Sequence, residues 1–317
     1  MDILIIKPSS LGDIIHGLQF AESLRSDIDN ARISWVSREL FAPLVQSCRT
    51  VHYTHIFHRK GSILGFVKLI REIRQVQFDW VLDLQGLLRS GILCKGARAK
   101  NKAGRSDARE GARWLYPFNV PLPPTGTESH ALEILMEFKR LFGQEPKGLP
   151  PIRFDAALGQ ASRDALSTPP AERLMIFLES RRAEKEWPYF QTLTGMLLEQ
   201  TPDLQLVWVA TNRIEPQFPA SRFEASGRFV NLSGRTTIDE LPPLIDSSDL
   251  VLANDSGPMH LAAAMQKEVV ALFGPTDPNR YGPWGQLQNV LAAPDGDLRN
   301  LPTEQVAEYL RQKLAAR

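Results

Sequence analysis

Cysteine is scarce in this chain: Cys48 and Cys94 are the only two among 317 residues, and they do not form a CxxC pair. That argues against a disulfide framework or a cysteine-based zinc site, and it fits a reducing compartment. Long apolar runs are also missing. None approaches the roughly 18 residues that a membrane-spanning helix needs. Leu4-Ile5-Ile6 is followed at once by Lys7 and Pro8, too short for the apolar core of a signal peptide. The expected location is therefore the cytoplasm. Neither G-x-G-x-x-G nor G-x-x-x-x-G-K-[ST] occurs, so a dehydrogenase or P-loop reading loses its main sequence support. No cluster with metal-ligand spacing is evident, and no metal site is expected.

What is present is the composition of a folded, water-facing protein, 43% hydrophobic and 23% charged. The length exceeds one ordinary core and suits two domains of about 150 residues each. The net charge of +1 hides an imbalance: residues 1–150 carry +6 and residues 151–317 carry −5. The stretch from Arg89 to Arg113 holds eight basic residues against Asp107 and Glu110, which accounts for the whole excess of the first half. Such a run is either a solvated face or a seat for an anionic partner, held by arginine forks on carboxylate or phosphate or by anionic lipid. Nucleic acid is disfavoured, because the run is short and lacks interleaved aromatics.

Apolar runs and helical periodicity alternate along the chain. Strands are expected at 2–7, 32–36, 51–57, 79–84 and about 100–104, with helices at 14–26, 39–47, 62–77, 87–95 and 128–142. The second half repeats the pattern, with strands at 173–179, 204–210, 228–232, 249–253 and 268–273. Its helices are expected at 188–200, 215–226, 238–247, 258–266 and 303–316. Alternation of this kind implies parallel sheets with right-handed crossovers. Pro-rich stretches at 117–124 and 146–151 punctuate the middle. The second is a linker candidate, with the boundary falling anywhere up to Pro169-Pro170. Each half has the size of a nucleotide-binding α/β unit, and two such units facing each other would enclose a cleft suited to a ligand.

Four constellations carry the chemistry. The first strand runs into Lys7-Pro-Ser-Ser-Leu-Gly-Asp-Ile-Ile-His16, which places Asp13 at the C-terminal strand edge where open α/β sheets bind ligands. On local sequence Asp13 is equally well an N-cap or a catalytic carboxylate. In the second half, Leu252-Ala-Asn-Asp-Ser-Gly-Pro-Met-His-Leu places Asp255, Ser256, Gly257 and His260 at a strand end and helix entrance. Free N–H groups and the positive helix end make an anion site there, although a well-capped helix alone explains Asn254, Asp255 and Pro258. Phe273-Gly-Pro-Thr-Asp-Pro278 is another strand end; it is either a simple turn or a means of setting Thr276 beside that entrance. Glu179-Ser-Arg-Arg-Ala-Glu-Lys-Glu-Trp-Pro188 follows the first strand of the second half. It offers Ser180, Arg181, Arg182 and Lys185 to a phosphate or leaving group, though a lysine alone is more often a solvated surface residue.

Taken in order, Ser-Ser-Leu-Gly-Asp-Ile-Ile-His, Lys-Glu-Trp-Pro, Asn-Asp-Ser-Gly-Pro-Met-His-Leu and Phe-Gly-Pro-Thr-Asp-Pro resemble glycosyltransferase family 9. These are the bacterial lipopolysaccharide heptosyltransferases, and the match runs from residue 9 to 278. Within the family, Asp79–Ser90 and Ala103–Glu110 look most like heptosyltransferase I. The resemblance implies an α/β fold of GT-B type, with two Rossmann-like domains whose parallel sheets face a central cleft. Residues 1–160 would bind acceptor, and residues 170–317 would bind donor, with the last helix a candidate to pack back on the first domain.

The resemblance also implies roles. ADP-L-glycero-D-manno-heptose would be the donor, held by Ser180, Arg181, Asp255, Ser256, Gly257, His260 and Thr276, with Lys185 neutralising the departing ADP. Kdo-lipid A would be the acceptor, held by Ser9, Ser10, Gly12, Gln85, Arg89, Arg105 and Arg109. Asp13 would take the proton from the Kdo hydroxyl as heptose transfers with inversion. No cofactor is expected, a divalent cation being at most stimulatory, and the protein would touch the anionic inner-membrane surface peripherally. Glu179 departs from the family pattern, in which many relatives carry a small or His-type residue there, and a carboxylate so near a diphosphate would repel it. The rival expectations are heptosyltransferase II or another family 9 transferase, a sugar-nucleotide-binding protein without turnover, and a hydrolase or epimerase of nucleotide sugars.

Overall fold

Runs of four or more consecutive apolar residues suit strands covered on both faces, as parallel sheets require. In the computed structural model, which describes residues 1–167 and 170–316, those runs become the inner strands of two sheets. The chain divides into Met1–Asp155 and Ala156–Arg317. The break comes just after the second Pro-rich stretch and five residues before the expected end of the first domain. Pro169, one limit of the expected linker, and Arg317 lie outside the described residues.

The first unit contains β1 (Asp2–Ile6), β2 (Arg32–Arg38), β3 (Val51–Phe57), β4 (Gln77–Asp83), β5 (Arg98–Arg105) and β6 (Phe118–Val120). All neighbours pair in parallel, in the order β3-β2-β1-β4-β5-β6. The helices are α1 (Leu11–Asp27), α2 (Ala42–Ser47), α3 (Ile63–Ile73), α4 (Leu88–Gly96) and α5 (Ala131–Met136). The helix expected over 128–142 is α only as far as Met136 and continues as 3-10 helix over Glu137–Phe142. β6 lies inside the first Pro-rich stretch, where no strand was expected. It pairs with β5 through Ala103↔Phe118 and Arg105↔Val120. Gly104 is required there: a Cβ on it would come within 2.3 Å of the Tyr116 ring.

The second unit contains α6 (Gln160–Ala165), β7 (Glu172–Phe177), α7 (Phe190–Gln200), β8 (Leu204–Val209), α8 (Ser221–Ala225), β9 (Phe229–Asn231) and α9 (Leu241–Asp246). These are followed by β10 (Leu250–Asn254), α10 (Gly257–Ala264), β11 (Val269–Phe273), α11 (Pro278–Tyr281), β12 (Val290–Ala292) and α12 (Thr303–Ala315). The helix expected at 215–226 shrinks to α8, because Pro216 and Pro219 cannot donate within a helix interior. The sheet order is β12-β11-β10-β7-β8-β9, also wholly parallel. Renumbered from its own first strand, this is the same order as the first sheet, the doubly wound Rossmann arrangement. α12 packs its Val306, Ala307, Leu310 and Leu314 into the core with Leu193, Leu197 and Leu198 of α7. Among the described residues no helix is long and apolar enough to cross a membrane.

The order has a functional consequence. In each sheet the first strand has neighbours on both sides whose connections run in opposite directions, and open α/β sheets bind ligands outside the strand ends at such a switch point. The two switch points are β1/β4 and β7/β10.

Candidate active site

At the first switch point β1 ends at Ile6, and residues 7–10 cross the end of β4 before α1 begins. Lys7 is 2% exposed, which is unusual for lysine and demands partners. Its ammonium donates to the Leu84 carbonyl at 3.2 Å and stands 3.2 Å from Asp13 Oδ1. Ser10 is the N-cap of α1, and its N–H and Oγ donate to Asp13 Oδ2 at 3.0 and 2.7 Å. Asp13 is thus not the cap that the sequence suggested. It is the reciprocal acid at the third helical position of a capping box.

The electrostatics of Asp13 follow from these contacts. Packing around the carboxyl opposes its charge, but Lys7 and the two Ser10 hydrogen bonds outweigh that and hold it well below the usual carboxylate range. The carboxylate is therefore ionised at any pH near neutral. Its side chain keeps 45% of its exposure, so a substrate hydroxyl can approach it. Gly12 lies in the first turn of α1. Ser9 N–H donates to Gln85 Oε1 at 3.4 Å, tying the β1 loop to the β4 loop.

Beneath that loop sits Asp83, fully buried at the end of β4 and absent from the sequence-based candidates. It accepts from Gln85 N–H (2.9 Å), Gly86 N–H (3.1 Å) and Tyr116 O–H (2.6 Å). Burial pushes its carboxyl above the ordinary value against the pull of these donors. Asp83 shapes the turn that presents Gln85; Tyr116, 33 residues away, is a partner that no local pattern announces.

The basic run does not form one surface. Gln77↔Arg98 pairs the beginnings of β4 and β5, and Asp83↔Gly104 their ends. Arg98 and Lys100 therefore lie toward the opposite edge of the sheet from Arg105, and Lys100 is paired with Asp79. Arg105 forks onto Asp107 at 2.8 and 2.6 Å. Arg89 donates to the Arg59 carbonyl at 3.3 Å and is otherwise exposed. Arg109 is exposed, while its N–H bonds to Gly86 O at 2.9 Å. Of the run, Arg89, Arg105, Arg109 and Arg113 follow β4 and β5 on the side of Asp13, so an anionic seat would be built from these and not from the whole stretch.

The second switch point repeats the design with the charges exchanged. Asn254 ends β10, fully buried; its Nδ2 donates to Leu178 O (3.1 Å) and its Oδ1 accepts from Trp187 N–H (2.9 Å). That fixes the loop carrying Lys185 against the end of β10. Lys185 Nζ lies 2.5 Å from Asp255 Oδ2, and Thr276 Oγ1 donates to the same oxygen at 2.6 Å. Thr276 is thus where the sheet order should put it. Ser180 Oγ reaches Asp255 O at 3.4 Å, and Ser180 N–H is held by Glu186 at 2.8 Å. Ser256 caps α10, Gly257 opens it, and His260 is buried in its second turn. The Ser256 hydroxyl is buried and has no hydrogen-bond partner among the described residues, so a ligand oxygen could complete it.

Arg181 is exposed, and Arg182 is paired with Glu184. Glu179 is committed elsewhere: its carboxylate accepts from Thr211 N–H (2.7 Å), Asn212 N–H (3.3 Å) and Asn212 Nδ2 (3.0 Å). The acid fastens the loop after β8. Among the described residues no group of three or more His, Cys, Asp or Glu side chains could hold a metal ion.

Known proteins resemble this chain over nearly its whole length. The chain is 28% identical over 324 residues to lipopolysaccharide heptosyltransferase 1 of Escherichia coli K12, covering 98% of this chain and 99% of that one. It is 25% identical over 335 residues to lipooligosaccharide heptosyltransferase 2 of Haemophilus ducreyi, covering 99% and 95%. The solved structure of E. coli heptosyltransferase WaaC with ADP superposes with a TM-score of 0.79 at 23% identity, covering 98% and 99% of the two chains, and shares the GT-B fold. Residues 66–309 match the model of glycosyltransferase family 9 (heptosyltransferase), and the chain belongs to that family of glycosyltransferases.

Proposed function

We propose that this enzyme transfers L-glycero-D-manno-heptose from ADP-L-glycero-D-manno-heptose to the Kdo of lipid A, with inversion. The observation that carries the reading is a matched pair of switch points. One holds a half-open, ionised carboxylate; the other holds a cation beside a helix entrance with an unsatisfied buried hydroxyl. Asp13 takes the proton from the attacking hydroxyl. A carboxylate held so acidic is a weak base, but the hydroxyl becomes acidic as its oxygen bonds to the sugar, and general-base help is worth about 10²–10⁴-fold.

The donor diphosphate lies over the entrance of α10, where Ser256, Gly257 and the free N–H groups of the first turn accept negative charge. Lys185 and Thr276 neutralise the departing ADP; Asp255 holds Lys185 in place, and Ser180 and His260 complete the wall. Neutralisation by a lysine leaves no step that needs a metal ion, so turnover persists in chelator. On the acceptor side the exposed Arg89 and Arg109 meet the Kdo carboxylate or a lipid A phosphate, while Arg105 acts with Asp107. Ser9, Ser10, Gly12 and Gln85 frame the hydroxyl. Transfer of the first heptose, rather than the second, is supported by the segments Asp79–Ser90 and Ala103–Glu110. The acceptor is an anchored glycolipid, so the enzyme works in the cytoplasm against the inner-membrane surface.

A panel of ADP-, UDP- and GDP-sugars, offered with Kdo-lipid A or its heptosylated form and read by mass, tests the reading. A product one heptose heavier, from ADP-heptose and Kdo-lipid A alone, is expected. Product only on the heptosylated acceptor would mean the second transferase, and ADP release without acceptor would mean a hydrolase. Donor binding with no product would mean a binding protein.

A further inference from the structure

The cations met so far at the Asp13 edge either have a partner or lie in water. Lys7 is held by Asp13 and the Leu84 carbonyl, Arg105 is held by Asp107, and Arg89 is exposed. Arg38, the last residue of β2, has neither kind of relief. It is half-buried, and its Nε–H is sealed from solvent with no hydrogen-bond partner. Its guanidinium forms no hydrogen bond or ion pair with any described residue. The fork lies over the buried Phe41 ring, 5.7 Å from its centroid. Glu39, the next residue, turns its carboxylate instead to Arg59 N–H, at 3.4 Å. Arginine does not shed its charge on burial, and a hydrogen bond left unmade by a charged donor is costly. A group in that condition calls for a ligand that brings the missing acceptor.

The register of the sheet shows where such a ligand sits. Ile6 pairs with Val36 on one side and with Asp83 on the other, so these three side chains share a face. Side chains alternate along a strand, which puts Arg38 on the same face, beyond the last rung between β1 and β2. α1 covers the opposite face: a Cβ on its Gly17 would come within 2.8 Å of the Trp35 ring. Arg38 N–H donates to Pro8 O at 3.2 Å, which ties the end of β2 to the loop that carries Ser9 and Ser10. That loop therefore has Asp13 on its α1 side and Arg38 on its other side, within the first unit.

We propose that Arg38 binds an anionic group of the acceptor, a carboxylate or a phosphate, while a hydroxyl of the same acceptor meets Asp13. The inference rests on the reading that the acceptor is an anionic glycolipid, and it adds a contact from outside the basic run. A guanidinium offers two parallel N–H bonds to either oxyanion. Half-burial removes part of the water that screens an exposed arginine. No ion pair has to break before the ligand enters. An acceptor without the charge would leave the cation unmet, so the contact also selects among acceptors.

Steady-state transfer by the full chain tests it, with ADP-heptose as donor. The acceptors are Kdo-lipid A (or its heptosylated form, if that is the one turned over), the same glycolipid with its Kdo carboxylates converted to carboxamides, and the same glycolipid with its lipid A phosphates removed. R38Q should raise KM for the native acceptor by about tenfold or more, as for a lost charge-assisted fork. KM for ADP-heptose should stay within about twofold. On the analogue that lacks the group Arg38 holds, the wild type should be weakened to a similar degree, and R38Q should weaken it no further. A carboxamide that closes the gap identifies the carboxylate; dephosphorylation that closes it identifies the phosphate. R38K keeps stem and charge but not the fork, so it should raise KM by about threefold. It carries the test if far-ultraviolet dichroism shows R38Q unfolded, and an unchanged KM would then count against the inference. A folded R38Q enzyme with the wild-type KM for the native acceptor would overturn the inference and leave the heptosyl reading standing. So would a penalty of the same size on all three acceptors, which a purely structural cation predicts. A wild-type protein that transfers to neither Kdo-lipid A nor its heptosylated form would overturn both.

Discussion

Lys7→Met asks whether the buried ammonium sets the charge of Asp13. Methionine fills the volume of the lysine stem and removes the charge 3.2 Å from Asp13 Oδ1. At that separation two unit charges interact by about 1.3 kcal/mol in bulk water and about 5 kcal/mol at an effective dielectric of about 20. The Asp13 side chain is 45% exposed, so solvent screening puts the pair near the lower limit, about 1–2 kcal/mol. The Ser10 hydrogen bonds remain, so the carboxyl of the variant rises toward the ordinary range without passing it. A base must be ionised, so the acid limb of the kcat profile should move to higher pH in the variant. The fall in rate should be less than about tenfold at about pH 8 and should deepen only below about pH 5, where a carboxyl near its ordinary range begins to protonate.

Stability carries a matching sign. A carboxyl with a depressed folded pKa stabilises the fold above its unfolded value, and that contribution is lost as pH falls through the folded value. In Lys7→Met the carboxyl is less depressed, so this contribution is smaller at neutral pH by about 1–2 kcal/mol, and the stability gap to the wild type should close as pH falls through the folded value of the wild-type carboxyl. The measurements are kcat from about pH 3.5 to 9, over the range in which the variant stays folded, and acid unfolding by dichroism. A variant whose pH–rate profile superimposes on the wild type would refute the argument.

The remaining predictions follow the other contacts. Lys185→Gln should lower kcat by about 10²–10³-fold through loss of charge neutralisation at the leaving group. Adding Asp255→Asn to it should restore melting temperature but not rate, which separates the catalytic charge from the buried acid it balances. Tyr116→Phe withdraws a 2.6 Å donor from the fully buried Asp83 and should cost about 1–3 kcal/mol in chemical unfolding. Glu179→Gln should leave the donor Kd within about threefold by calorimetry, since that carboxylate faces the loop after β8.

Much of this was legible in the chain. Ile3–Ile6 and Leu250–Asn254 read as buried strands because their neighbours cover both faces, and the turns after them carry their chemistry in consecutive residues. The Asp255–Thr276 contact followed from adjacency of two strand ends. What stayed hidden depends on pairing at a distance. Phe118–Val120 and Val290–Ala292 are three-residue edge strands, defined by a neighbour and not by their own periodicity. Lys7 looked like a polar turn residue because lysine is rarely buried, and only the fold shows that Leu84 and Asp13 receive it. Asp83 and Tyr116 meet across 33 residues. Arg89–Arg113 is contiguous in sequence but a strand divides it, sending its charges to opposite edges.

The most direct test of the account is Asp13→Asn, which keeps an acceptor oxygen for Ser10 and removes the base together with the charge that faces Lys7. The fold should survive, with a loss of about 1–3 kcal/mol in unfolding, as for a weakened cap and a screened ion pair. Heptose transfer to Kdo-lipid A, followed by release of ADP at saturating substrates, should fall by about 10²–10⁴-fold. A folded Asp13→Asn variant that turns over within about threefold of the wild type would contradict the assignment of that carboxylate as the base.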